Sequence, residues 1–270
     1  MKITYIKHSC FAVEFAEEYG DYKENHGASD DSCKHVIFLF DYYQGDIPAF
    51  PEDSAVYVFL SHKHADHYRQ KIFQLADRYE NIVFFLAKEI RMNEKYMERC
   101  NIPLKARNKI VYAHANKDYD LVSIKVKTYK STDSGVAFLV SFDDKKIYHA
   151  GDQNWWKAER TKGIHIPEPE LEKLKDAEIR MERNFKKEVA LLASDSSGID
   201  IAFLPLDGRL GRFAGLGFTY YMENCNIAKV FPMHLWEQYS LIEQYCDSRE
   251  AKEFGNRVVK VNQQGESWVI

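Results

Sequence analysis

Cysteine is thinly spread in this chain: five among 270 residues, at positions 10, 33, 100, 225 and 246. No Cys-x-x-Cys occurs, which excludes a zinc ribbon and a thioredoxin-like redox pair. Long apolar runs are missing as well. The longest, Ala55–Leu60 and Ile82–Ala87, are six residues each, against the roughly 20 that a membrane-spanning helix needs. Neither charge sign dominates: 37 basic residues face 41 acidic ones, a net charge of −4. Such a surface does not attract nucleic acid over its whole extent. No Gly-x-Ser-x-Gly and no Gly-x-x-x-x-Gly-Lys-Ser/Thr occurs, which leaves out a serine nucleophile elbow and a phosphate-binding loop of that type. The sequence also lacks Asn-x-Ser/Thr acceptors and Pro/Ser-rich linkers. The opening stretch MKITYIKHSCFAVEF alternates apolar and polar residues and predicts a strand rather than a signal peptide. A cytoplasmic, non-membrane protein is expected.

What is present suits a globular enzyme-sized domain. The apolar fraction is 45% and the charged fraction 29%, both ordinary for a soluble fold. A chain of this length buries roughly three-quarters of its unfolded surface and needs no disulfide staples. One domain, 1–270, is expected, with insertions at 17–35 and 155–197. Short β-branched and aromatic runs predict strands at Ile3–Ile6, Val36–Phe40, Val56–Leu60, Ile82–Leu86, Val136–Val140, Ile199–Leu204 and Ala228–Phe231. Helices are predicted over His67–Tyr79, Ala87–Cys100, Pro167–Ala193, Tyr220–Cys225 and Leu241–Phe254. The longest of these carries an apolar stripe from Leu171 through Leu174, Ile179, Met181, Phe185 and Val189 to Leu192.

The chemistry concentrates in Val56–Arg69, VYVFLSHKHADHYR. A buried strand ends at Leu60. His62, His64, Asp66 and His67 follow within six residues. Residues i and i+2 beyond a strand can point the same way, so His62 and His64 can grip one ion while Asp66 and His67 face a second point. Imidazole suits zinc, and a carboxylate widens the choice to manganese or iron.

This segment resembles the His-x-His-x-Asp-His signature of the metallo-β-lactamase superfamily. Further matches follow in order: Asp41 in VIFLFDYY, Asp152 in YHAGDQN and His234 in VFPMHLW. KHSCFAVEF, IYHAGD and FPMH are most similar to the ascorbate-6-phosphate-lactonase-like branch. The resemblance implies a four-layer αββα sandwich (an α/β fold) holding one or two divalent transition metal ions, zinc first, with manganese or iron as alternatives. It implies His62, His64, Asp66, His67, Asp152 and His234 as ligands, Asp152 bridging, and Asp66 and Asp152 as the residues at the reacting centre. Metal-activated hydroxide would then attack an ester, lactone or phosphoester of a small-molecule substrate. Asp41 would support a ligand imidazole. One family histidine is missing. Its place falls at Ser131, or as second choice at Thr132, in TYKSTDSGVAFLV, with Asp133 or His114 as substitutes.

Other residues are open to plainer readings. His8, Trp155, Trp156, Trp236 and Arg209 can line a substrate pocket, or can be ordinary packing and surface residues. His149 reads as core or as support for the ligands. Three rival functions stand beside the hydrolase: a non-catalytic metal-binding or sensing protein, a nuclease of the same superfamily, and a di-iron oxygen-reducing enzyme. The mildly acidic chain counts against the nuclease. His64, where a carboxylate is expected, counts against the di-iron enzyme.

Overall fold

The computed structural model describes residues 1–16, 35–121, 123–159 and 167–270. They form two compact units. The first comprises Met1–His114 with Gln263–Ile270, and the second Ala115–Asn262. Each is built on one mixed sheet. Together with the helices these make the α/β class expected from the sequence.

The first unit holds β1 (Lys2–Lys7), β2 (Cys10–Ala16), β3 (His35–Phe40), β4 (Ala55–Leu60), β5 (Ile82–Ala87), β6 (Ile110–Ala113) and β13 (Ser267–Val269). Their spatial order is β13-β1-β2-β3-β4-β5-β6. The edge β13-β1-β2-β3 is antiparallel, and β3 through β6 run parallel. Continuous apolar runs such as VIFLF and AVYVFL mark parallel strands covered on both faces; Ile37 through Phe40 and Val58 through Leu60 are fully buried.

The second unit repeats the plan. It holds β7 (Asp118–Asp120), β8 (Lys125–Lys130), β9 (Val136–Phe142), β10 (Lys145–His149), β11 (Ile199–Pro205) and β12 (Ile227–Met233), in the order β12-β11-β10-β9-β8-β7. β7 to β10 are antiparallel, whereas β10, β11 and β12 are parallel. In both sheets the parallel strands end in loops that carry the candidate ligands, the usual place for function in such sheets.

Three helices differ from the sequence reading. His67–Tyr79 is a turn followed by a short 3₁₀ helix, Gln70–Asp77. Before it, the His64 carbonyl accepts from both His67 N and Tyr68 N, while Arg69 N donates to Tyr42 O, so these residues are committed to a loop. Over Ala87–Cys100 helix is confined to α1 (Glu94–Arg99), because Ala87 still pairs in β5 and Asn93 caps the helix at Tyr96 N. Leu241–Phe254 shortens to α5 (Ser240–Cys246). Beyond it the Ser248 hydroxyl accepts from Ala251 N and holds a turn. The long helix α3 (Glu168–Asp195) forms as expected, but only its second half packs. Phe185, Glu188, Val189 and Leu192 are buried, whereas Leu174 and Ile179 are 44% and 63% exposed. α3 occupies most of the expected 155–197 insertion. The 17–35 insertion lies outside the described residues except for His35, which opens β3. The remaining helices are α2 (Leu104–Arg107) and α4 (Leu216–Asn224).

Candidate metal centre

In the first unit the centre is built around Asp41, the residue after β3. It is fully buried and has φ +43°, a left-handed conformation that a non-glycine residue holds only when its surroundings impose it. Asp41 Oδ1 accepts from Ser61 N at 2.7 Å. Its Oδ2 accepts from the Ser61 hydroxyl at 2.6 Å and stands 2.8 Å from His67 Nδ1. The single hydroxyl proton of Ser61 is spent on Asp41, so Ser61 Oγ, 2.9 Å from His62 Nδ1, accepts there. One carboxylate thus fixes two imidazoles as Nδ1–H tautomers, His67 directly and His62 through Ser61. Each is left with a lone pair on Nε2, the arrangement found behind metal-binding histidines.

The rings gather closely. The His62 centroid lies 4.2 Å from that of His67 and 4.6 Å from that of His64. Asp66 Oδ2 is 3.9 Å from His67 Nε2 and 3.5 Å from His8 Nε2. His8 sits in the β1–β2 turn at φ +58°, and its N–H donates to the Tyr5 hydroxyl at 2.8 Å. Neutral imidazoles with Nε2 lone pairs beside a carboxylate are a donor set that fits a divalent transition metal. His114 follows β6 and is exposed.

The second unit uses the same device at the ends of its own parallel strands. Asp207 follows β11 and His234 follows β12 at φ +64°. Asp207 Oδ2 is 2.9 Å from His234 Nδ1, which again leaves Nε2 as the lone-pair atom. His234 Nε2 is 3.3 Å from Asp152 Oδ1. Arg209 clamps Asp207 through Nε, 3.0 Å from both carboxylate oxygens, and lies over the Trp236 ring at 4.4 Å. Burial by itself would raise the Asp207 carboxyl, but hydrogen bonds from His234 and Arg209 outweigh it and hold the group well below the usual carboxylate range.

Asp152 is placed by the turn after β10. Gly151 adopts φ +52°, and its N–H donates to His149 Nδ1 at 3.1 Å, so His149 shapes the turn that presents Asp152. Trp156 Nε1 donates to the Asp152 carbonyl at 2.9 Å, and the Trp156 and Trp236 rings approach His234 edge-on at 5.6 and 5.7 Å. Trp155 turns elsewhere, 6.0 Å from both Phe185 and Tyr220. The loop with Ser131 and Asp133 is pinned to the Asp152 loop: the Thr132 hydroxyl donates to Asn154 O at 2.6 Å and accepts from Asn154 N at 3.0 Å. Ser131 is buried, and its oxygen accepts from Asp133 N at 3.2 Å.

The sequence reading assigns no role to Asp207 or Ser61, and takes Thr132 only as a second position for the missing histidine. Asp207 carried a usable signal, because it follows an apolar strand run just as Asp41 does. Arg209 was read as a pocket residue, and the structure commits its guanidinium to Asp207.

No family model and no curated protein matches the sequence. Solved structures do match in three dimensions. The metallo-β-lactamase fold protein YhfI of Bacillus subtilis aligns at 12% identity over 99% of this chain and 98% of its own, TM-score 0.52. This chain has the metallo-β-lactamase fold. A presumed metal-dependent hydrolase of Parabacteroides distasonis ATCC 8503 aligns at 17% identity over 97% of this chain and 93% of its own, TM-score 0.53. CmlA, a diiron β-hydroxylase of Streptomyces venezuelae, aligns at 10% identity and TM-score 0.57, covering 99% of this chain but 53% of its own. One fold carrying such different names leaves the reaction to be argued from side chains. No described helix is long and apolar enough to cross a membrane.

Proposed function

We propose that this protein is a metal-dependent hydrolase of a small lactone or phosphoester, on the pattern of the ascorbate-6-phosphate-lactonase-like branch that its motifs resemble. The observation that carries this reading is the repeated strand-end aspartate on an imidazole Nδ1: Asp41 on His67 at 2.8 Å and Asp207 on His234 at 2.9 Å. Buried carboxylates spent on orienting histidines serve little purpose unless the opposite nitrogens bind something. The proposed ligands are His62, His64, Asp66 and His67 of the first unit and Asp152 and His234 of the second, with zinc as the first expectation.

A divalent ion bound by these residues supplies Lewis acidity and a water of lowered pKa. The chain's own contribution is to keep protons on the Nδ1 atoms of His62, His67 and His234, so that their Nε2 lone pairs stay available. Asp66 and Asp152 supply negative charge at the reacting centre and orient the attacking water. Trp156 and Trp236 place apolar rings beside His234.

Gently purified protein should contain between one and two equivalents of transition metal by elemental analysis. It should hydrolyse a member of a panel of lactones, esters and phosphodiesters, and His62→Ala should abolish turnover. Metal without turnover would favour a binding or sensing protein. Turnover confined to RNA or DNA, weakening steeply with salt, would favour a nuclease.

A further inference from the structure

A pocket of about 340 Å³ lies within the first unit, beside the metal-ligand segment. Part of its wall is Lys63, the residue between His62 and His64. Arg69, two residues past His67, and Arg91, beyond β5, also line it. Among the described residues none of these three cations is paired with a carboxylate. The pocket's one acid, Glu89, accepts from the backbone N–H of Lys63 at 3.1 Å, leaving two more positive groups than negative ones. All three are exposed, and like charges lining one pocket make it attractive to an anion.

The floor adds a neutral donor. Gln70 Nε2 donates to the Tyr96 hydroxyl at 2.8 Å, and that oxygen lies 3.2 Å from the Tyr68 hydroxyl. The pair shares one hydrogen bond and therefore spends one of its two O–H protons. Whichever phenol donates, one O–H is left over. Two guanidinium forks, an ammonium and a spare phenolic O–H match the acceptor oxygens of a phosphoryl or carboxylate group.

We infer that this pocket binds the anionic group, phosphoryl or carboxylate, of the molecule on which the protein acts. The anion site stands on geometry alone, while its part in turnover rests on the hydrolase reading. Lys63 belongs to the same backbone segment as two proposed ligands, with its side chain on the opposite face of that segment from theirs.

Titration calorimetry of the full metal-loaded chain with inorganic phosphate and with malonate tests this. One of the two probes should bind, and which one identifies the source of the anion. The Arg69→Gln/Arg91→Gln variant should bind at least about tenfold more weakly, as expected for lost charged hydrogen bonds. Lys63→Gln should weaken binding less, and His62→Ala should leave the affinity within about twofold. All four substituted side chains can be checked for folding by circular dichroism. Binding of neither probe at millimolar concentration, unchanged binding in the double arginine variant, or loss confined to His62→Ala would overturn the proposal. So would binding of single-stranded RNA, lost in the arginine variant, with no binding of either small anion. If phosphate binding maps to the arginines and no substrate is turned over, the hydrolase reading fails and the anion site stands. Turnover of neutral esters by a protein that binds no small anion is the reverse result.

Discussion

At the scale of single residues, what matters is how many partners one carboxylate can serve. Asp41 serves three donors with two oxygens: Ser61 N, the Ser61 hydroxyl and His67 Nδ1. An asparagine keeps one acceptor oxygen and brings an NH₂ that opposes a donor. Asp41→Asn should therefore leave the chain folded and most metal bound, yet lower turnover by about 10–100-fold, the usual effect of disturbing a partner behind a metal ligand. Asp207→Asn should do the same and also free Arg209. Metal content and kcat measured together check both, and unaltered turnover in either variant would break the link drawn between tautomer control and activity. Ser131 is the departure from the resembled pattern, and its hydroxyl is spent on Asp133 N. A neutral hydroxyl is a poor zinc ligand beside imidazole, so Ser131→His should tighten the weaker of two metal-binding steps in a zinc titration. Unchanged affinity there, with binding lost in Asp133→Ala or His114→Ala, would move the missing ligand to one of those residues. Asp41 was legible in the sequence because it directly ends the unbroken apolar run VIFLF and matches the strand-end aspartate of the resembled pattern. Asp207 was not, because no match to the resembled pattern pointed to it and the glycines and arginines after it read as a turning, anion-binding loop.

At the scale of elements, the strands were legible and the short helices were not. VIFLF and AVYVFL have no polar interruptions, and such runs favour a sheet whose two faces are covered. Helix spacing misled at 67–79, because Ile72, Phe73 and Ala76 do face the core but the hydrogen bonds ahead of them build the ligand loop. In α3 the apolar stripe is real, yet its first half stays exposed, which periodicity alone cannot reveal. α4 shows how closely an element is set against the loop that presents Asp152. A Cβ on Gly217 would fall on Asn154 Oδ1 and stand 3.0 Å from Trp155 N. Thr132 holds the Asn154 backbone, so the Asn154 side chain has to turn away while Trp155 N stays close. Gly217→Ala should lower stability by about 1–3 kcal/mol, the range for overpacking a filled site. Gly198→Ala, whose new Cβ would meet only Asn226 Nδ2 at 3.5 Å, should change stability by less than about 0.5 kcal/mol. Urea unfolding of the two variants decides this, and equal effects would mean that the Asp152 loop is looser than its contacts indicate.

At the scale of the whole molecule, the second unit keeps several acidic protons of thiols and phenols away from water. Burial above all pushes the Tyr148 and Tyr221 hydroxyls well above their ordinary range; Tyr221 adds to the rise of Tyr148, whereas the hydrogen bond with Tyr148 only partly offsets that of Tyr221. Burial alone raises the Cys225 thiol to about 12, and it is the main cause of a rise to about 12 for Tyr245. Each group must give up its proton to be charged, and the folded chain holds that proton more tightly than the unfolded chain does. The unfolded state of Cys225 ionises near its ordinary 9.0, so above that pH unfolding releases a proton. The stability contributed by the neutral thiol is complete below about pH 9 and is lost as pH rises toward 12. The tyrosines act in the same direction, beginning near 10.0. The chain is already net negative at pH 7, and further ionisation adds self-repulsion. Unfolding free energy should therefore be nearly level between pH 7 and 9 and fall steeply above it. Cys225→Ala removes one such proton without adding a polar group, so its stability should fall less between pH 9 and 11 than that of the parent. Denaturant titrations of both proteins at pH 7, 9 and 11 give the comparison, and parallel losses would show that the Cys225 thiol does not feel the burial assigned to it.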